Sequence, residues 1–240
     1  VPDVYSAGLS EFVFAAGVKL MERFRPDLMY LSTTDYIQHK TGPGTKIAND
    51  FYGMIDRHLA QLDAAGAAIV ATADHGMNDK HLPDGSPDVI YLQSLLDEWL
   101  GAGKALVILP ITDPYVAHHG ALGSFATVHV PAGLDTKGLI ARLAALDGID
   151  LVLTRQQACE RFELPGDRIG DIVVLSGRHK VLGTAREKHD LSGLKEPLRS
   201  HGGLFEQRVP MIANRCPIGM QGRVLRNFDA FDVALNHVAP

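Results

Sequence analysis

The sequence runs to 240 residues, enough to bury a full core in one large domain or in a domain with an insert. Charged residues make up 21% of it and the formal net charge is -5, which excludes a broad basic surface and argues against nucleic acid as a partner. No apolar run reaches the roughly eighteen residues of a membrane span and no signal peptide opens the chain, while Cys159 and Cys216 stand far apart in no metal-binding or disulfide pattern, so a cytoplasmic setting is expected.

Residues 7–24 carry apolar positions at helical spacing and predict a helix, and the apolar run 27–34 predicts a buried strand. The alternation repeats. Ile47, Phe51, Met54, Ile55, Leu59 and Leu62 form one stripe of a helix over 46–65, Gly66 supplies its stop, and AAIVATA at 67–73 predicts a second buried strand. Helix alternating with apolar strand predicts an α/β fold with a mostly parallel sheet and helices on both faces. Further elements are a strand at 88–92, a helix at 93–100 and a strand at 105–109, and near the end a strand at 209–214 and a helix at 228–237. Residues 115–165 differ in texture, with a strand at 125–130, a helix at 136–146, a strand near 150–153 and a helix at 155–162. They read as a small inserted α+β cap, so that the core occupies 1–114, the cap 115–165, and the return to the core 166–240. The polar stretch 176–203 is poor in strand residues and reads as a long excursion over the surface.

The chemistry concentrates in three short motifs. Asp35 and His39, four residues apart after the 27–34 run, face the same way on a first helical turn and offer oxygen and nitrogen donors that suit zinc. Taken alone, the pair also fits a capping aspartate beside a solvated histidine. Asp74-His75-Gly76-Met77 follows the apolar run at 67–73, at the strand end where open α/β sheets bind ligands. Neighbouring side chains on a strand point to opposite faces, so both donors can face one ion only through a turn, which Gly76 permits. An ordinary turn would show the same residues. His201-Gly202-Gly203 precedes the strand at 209–214, and by itself is a common glycine turn. Five Asp and His side chains at three such positions share no packing purpose and together indicate a metal centre. Five ligands exceed the four of a closed zinc site, which favours two ions over one.

The order Asp35-x-x-x-His39, Asp74-His75-Gly76-Met77 and His201-Gly202-Gly203 resembles the metal signature of the alkaline phosphatase superfamily. The strings TTDYIQHK, ADHGMNDKH, HHGALGS, GDIVVLS and LRSHGGLFEQRVPMI look closest to its phosphonate-hydrolase branch. The resemblance implies two Zn2+ per chain, one held by Asp35, His39 and His201 and the other by Asp74 and His75. It implies a small anionic phosphonate as substrate, phosphonoacetate, cleaved at its carbon–phosphorus bond to acetate and phosphate. The family's nucleophilic threonine and a further zinc-binding aspartate lie well before the Asp-x-x-x-His motif. Only 34 residues precede Asp35, so both are expected upstream of Val1 and no catalytic nucleophile is assigned within the sequence. Lys80, His118 and His119 are candidates for the cations that would meet the substrate carboxylate, although a solvated lysine and histidines bonded within the cap fit them as well. A nucleotide pyrophosphatase or phosphodiesterase of the same superfamily is the main rival, and a non-catalytic zinc-binding fragment the other. The sequence admits a homodimer without specifying one.

Overall fold

A computed structural model describes residues 2–110 and 120–238. The chain divides into two units, Val1–Gly76 with Arg208–Pro240, and Met77–Gln207. Among the described residues no helix is long and apolar enough to cross a membrane.

The first unit holds helices α1 (Ala7–Phe24), α2 (Tyr36–Lys40) and α3 (Lys46–Ala64), strands β1 (Val70–Thr72) and β10 (Met211–Ala213), and a short helix α7 (Asp229–Asp232) that widens into a π turn over Val233–His237. Helix α3 begins where the Thr45 hydroxyl accepts the Ala48 N–H at 3.3 Å, satisfying one of the otherwise orphaned first-turn donors. Its stripe buries Phe51, Met54 and Leu62, the first two against Ile37 of α2, whereas Ile47 of the expected stripe is exposed. Beyond the helix Gly66 takes φ +92°, a left-handed conformation that turns the chain toward β1. Strand β1 pairs antiparallel with β10, Val70 opposite Ala213 and Thr72 opposite Met211. The Asn214 amide ties this pair to the end of α3. Its oxygen accepts the Ile69 N–H at 2.8 Å, and its nitrogen donates to the Ala67 carbonyl at 2.9 Å and to Asp63 at 2.6 Å.

The second unit holds β2 (Asn78–Asp79), β3 (Val89–Tyr91), α4 (Leu92–Leu100), β4 (Leu106–Ile108), β5 (Phe125–His129), α5 (Thr136–Ala144), β6 (Ile149–Thr154), α6 (Arg155–Phe162), β7 (Ile172–Ser176), β8 (Val181–Gly183) and β9 (Arg199–Ser200). Its centre is an antiparallel sheet in the order β4-β5-β7-β6. Strand β7 is buried along its whole length because both of its faces are covered. Ile172 and Val174 join Leu92 and Leu96 of α4 and Leu139 and Leu143 of α5 in one core. Val173 and Leu175 join Leu153 of β6 and Ala158 of α6 in another. The alternation is the period-2 geometry of a strand, and it explains why IVVL shows no polar residue. Strand β3 runs parallel to β8, and β2 antiparallel to β9.

The structure corrects several expectations. Helices do cover both faces of the main sheet, but five of the six strand pairs among the described residues are antiparallel and only β3–β8 is parallel. An apolar run bounded by helices does not reveal which strand it will pair with, and here the pairing is set by long-range partners such as β1 with β10. Residues 27–34 form no strand; Leu28 and Tyr30 are exposed, and Leu31 instead fills the space over Gly17 of α1. The stretch 176–203 is no simple surface excursion, since Val181, Leu182, Leu198, Arg199 and Ser200 are buried. Strands β5 and β6, from within 115–165, share a sheet with β4 and β7 from outside it.

Candidate metal centre

In the first unit the Asp35-x-x-x-His39 motif occupies the start of α2. Asp35 stands at the N-cap position but its carboxylate makes no capping hydrogen bond, so capping does not account for it. One turn later His39 is buried, with its Nε2 3.1 Å from Asp35 Oδ2, the meeting that the four-residue spacing predicts. Beyond β1 the chain bends at Asp74, without a positive φ at Gly76, and His75 Nε2 lies 3.7 Å from Asp35 Oδ2 and 3.6 Å from Asp74 Oδ2. Asp35, His39, Asp74 and His75 are thus gathered by one unit.

The hydrogen bonding of His75 specifies what this cluster is suited to hold. Its Nδ1 lies 2.9 Å from the Gly76 carbonyl, which can only accept, so in the neutral ring the proton sits on Nδ1 and the Nε2 lone pair faces the two carboxylates. Lone pairs facing one another repel unless a proton or a metal cation lies between them. Zinc bonds of about 2.0–2.1 Å in tetrahedral geometry set neighbouring donors about 3.3 Å apart, close to the 3.1 Å between Asp35 and His39 and the 3.6 Å between Asp74 and His75. A backbone carbonyl on the far ring nitrogen is also the usual support of a metal-ligating histidine. The donor set fits a zinc-type ion.

The other predicted residues fall in the second unit. His201 lies just after β9, with its carbonyl accepting the Ser124 N–H at 2.8 Å. Gly202 takes φ +99° and Gly203 packs so closely that an added Cβ would stand 2.9 Å from Ser124 Cβ. Lys80 is not a solvated lysine. It is 0% exposed, its Nζ donating to Glu206 at 3.0 Å and to the Arg178 carbonyl at 2.7 Å. Burial pushes its pKa below the ordinary lysine value, with Glu206 drawing it partly back. An ammonium enclosed in this way does not face a substrate, so its expected contact with the substrate carboxylate is not supported by its position. His118 and His119 lie outside the described residues. Asn78 and Glu206 lie within strings that carry the family resemblance, but neither they nor Arg178 were assigned a role, because charged and amide residues in polar runs read as solvated.

Comparison with known proteins gives the cluster its context. The fold is that of the alkaline phosphatase-like superfamily, and the model of the type I phosphodiesterase / nucleotide pyrophosphatase family matches residues 9–204, well over half of the chain. The chain belongs to that family. It is similar to phosphonoacetate hydrolase from Sinorhizobium meliloti 1021, solved with phosphonoacetate and with phosphonoformate, at 66% identity and a TM-score of 0.92 over 98% of this chain and 57% of that one. A phosphonoacetate hydrolase of Penicillium oxalicum is 51% identical over 41 residues, 16% of this chain and 57% of the relative. Murine ectonucleotide pyrophosphatase / phosphodiesterase 5, at 19% identity and a TM-score of 0.55 over 85% of this chain and 52% of its own, shares the fold. The chain therefore spans little more than half the length of these relatives.

Proposed function

We propose that the protein is a two-zinc hydrolase that cleaves the carbon–phosphorus bond of phosphonoacetate to acetate and phosphate. The observation that carries this reading is the 66% identity, sustained over 98% of the chain, to a phosphonoacetate hydrolase solved with phosphonoacetate. In this reading Asp35, His39 and His201 hold one zinc and Asp74 and His75 the other. When bound, the ions would supply Lewis-acid polarisation of the phosphoryl oxygens and orient the displacement. The chain's own residues prepare the site: the Gly76 carbonyl fixes the His75 tautomer, and the i,i+4 spacing on α2 aligns Asp35 with His39.

Attack by the nucleophile's oxygen at phosphorus forms an oxygen–phosphorus bond as the carbon–phosphorus bond breaks; the electron pair passes to the methylene carbon, where the adjacent carboxylate delocalises it until a proton from water yields acetate, and water then cleaves the oxygen–phosphorus bond to release phosphate. Cations near that carboxylate would lower the barrier. With Lys80 enclosed, His118 and His119 are the remaining candidates within the sequence. The nucleophile, a threonine by the resemblance, is assigned to no residue of this chain. Residues 115–165 would serve as the cap. Two free cysteines accord with a cytoplasmic setting.

The test is an assay of the complete gene product for phosphate and acetate release from phosphonoacetate, beside an aryl phosphodiester, after chelation and after zinc restoration. Equimolar acetate and phosphate, lost on chelation and regained with zinc, are expected. Preference for the diester would instead make the protein a nucleotide pyrophosphatase or phosphodiesterase.

A further inference from the structure

The loop Ser200–Gly203 is held from both sides by buried groups, and the hub on one side is a carboxylate without an assigned role. Glu206 is 1% exposed and accepts three hydrogen bonds. Its Oε1 takes the Lys80 ammonium at 3.0 Å and the Asn78 amide at 2.5 Å, and its Oε2 takes the Gly203 N–H at 2.9 Å. Asn78 is oriented in turn by Arg178, whose Nε donates to its Oδ1 at 3.0 Å, and Lys80 also donates to the Arg178 carbonyl. On the other side the Ser200 hydroxyl donates to the Leu122 carbonyl at 2.5 Å and the Ser124 N–H to the His201 carbonyl. Strand pairing closes the frame. Asn78 lies opposite Ser200, Asp79 is ion-paired with Arg199, and the Lys80 N–H donates to the Leu198 carbonyl at 2.8 Å.

A buried ion pair contributes little to stability against an apolar replacement of the same volume, because desolvation offsets the Coulomb attraction. What the pair does supply is direction. Three donors converging on two oxygens hold the carboxylate in one orientation, and that orientation holds the Gly203 N–H two residues after His201. We propose that Glu206 is a positioning residue for His201, with Lys80 and Asn78 orienting it, so that the loop presents the imidazole already organised for zinc. The inference rests on the reading of His201 as a zinc ligand. The buried Lys80 thereby gains a role in place of the substrate contact that its position does not support.

The test measures both zinc affinities of the complete gene product by competition with a chromophoric chelator, in wild type, Glu206→Gln, His201→Ala and the double variant. Gln is nearly isosteric but must turn its NH2 toward donors that need an acceptor. Glu206→Gln should weaken one zinc about 10–100-fold, the scale for losing a support of a metal ligand, and leave the other within about twofold. Added to His201→Ala it should change nothing further. Wild-type affinity in Glu206→Gln, or an equal loss in the His201→Ala background, would overturn the proposal. An unchanged zinc affinity in His201→Ala would instead overturn the ligand reading itself. If Glu206→Gln does not fold, Asn78→Ala removes one donor while keeping the ion pair; a several-fold loss at the same zinc supports the proposal, and no loss refutes it.

Discussion

His75 Nε2 lies 3.7 Å from Asp35 Oδ2, with the other ring nitrogen occupied by the Gly76 carbonyl, so an imidazole nitrogen and a carboxylate from distant parts of the chain face each other in one cluster. Asp35→Ala should therefore reduce zinc affinity by more than the roughly 10–100-fold that follows loss of a ligand's supporting partner. At a zinc concentration about 100 times the wild-type Kd, wild type gains about 2.7 kcal/mol of stability by mass action. Thermal unfolding with and without zinc checks this, and an undiminished zinc-dependent rise in Tm for Asp35→Ala would refute the assignment.

Lys80→Met leaves the Glu206 carboxylate buried at 1% exposure without its ion-pair partner. Removing one member of a buried pair costs about 3–5 kcal/mol. Lys80→Met with Glu206→Met, which removes both charges, should cost clearly less than the sum of the two single changes. Urea unfolding of the four proteins checks the cycle, and additive losses would show that the pair is not coupled.

The same lysine makes a pH prediction. Burial lowers its pKa below the ordinary lysine value despite Glu206, so the unfolded chain binds this proton more tightly than the native one. Stability rises with pH wherever the unfolded state holds more protons. The Lys80 contribution is therefore least below its lowered folded pKa, and it grows as the pH climbs to the ordinary lysine value of about 10.4. The stability of wild type relative to Lys80→Met should shift in favour of wild type between neutral pH and pH of about 10. Urea titrations at several pH values measure this, and a constant difference would contradict it.

Gly170 opens the GDIVVLS string against the backbone of β5, where an added Cβ would stand 2.7 Å from the Val128 carbonyl oxygen and 2.9 Å from its nitrogen. Backbone atoms cannot swing aside as a side chain can. Gly170→Ala should cost about 1–3 kcal/mol through overpacking, with the β5–β7 register strained first. Denaturant unfolding of this variant beside Gly133→Ala separates the two sources of cost, since Gly133 has a positive φ but nothing within 4 Å of an added Cβ.

Much of this was legible along the chain. The helix over 7–24 and the one starting at 46 follow from 3.6-residue periodicity, and Asp35 with His39 from the i,i+4 rule, because these relations are local and the residues that decide them are adjacent in sequence. The bend at Asp74 was only partly readable: a change of chain direction beside the two adjacent donors was expected to need Gly76, yet Gly76 is not among the glycines with a positive φ. Strand pairing was not legible. Whether β1 runs beside a parallel neighbour or antiparallel to β10 depends on residues some 140 positions away. The sequence by itself determined where Asp and His donors recur in short motifs and which segments form the long helices. Only the tertiary structure decided that Lys80 is enclosed and that Glu206 stands behind the His201 loop. A charge's environment is set by the elements that close over it, and a lysine reads the same in sequence whether water or a carboxylate meets it.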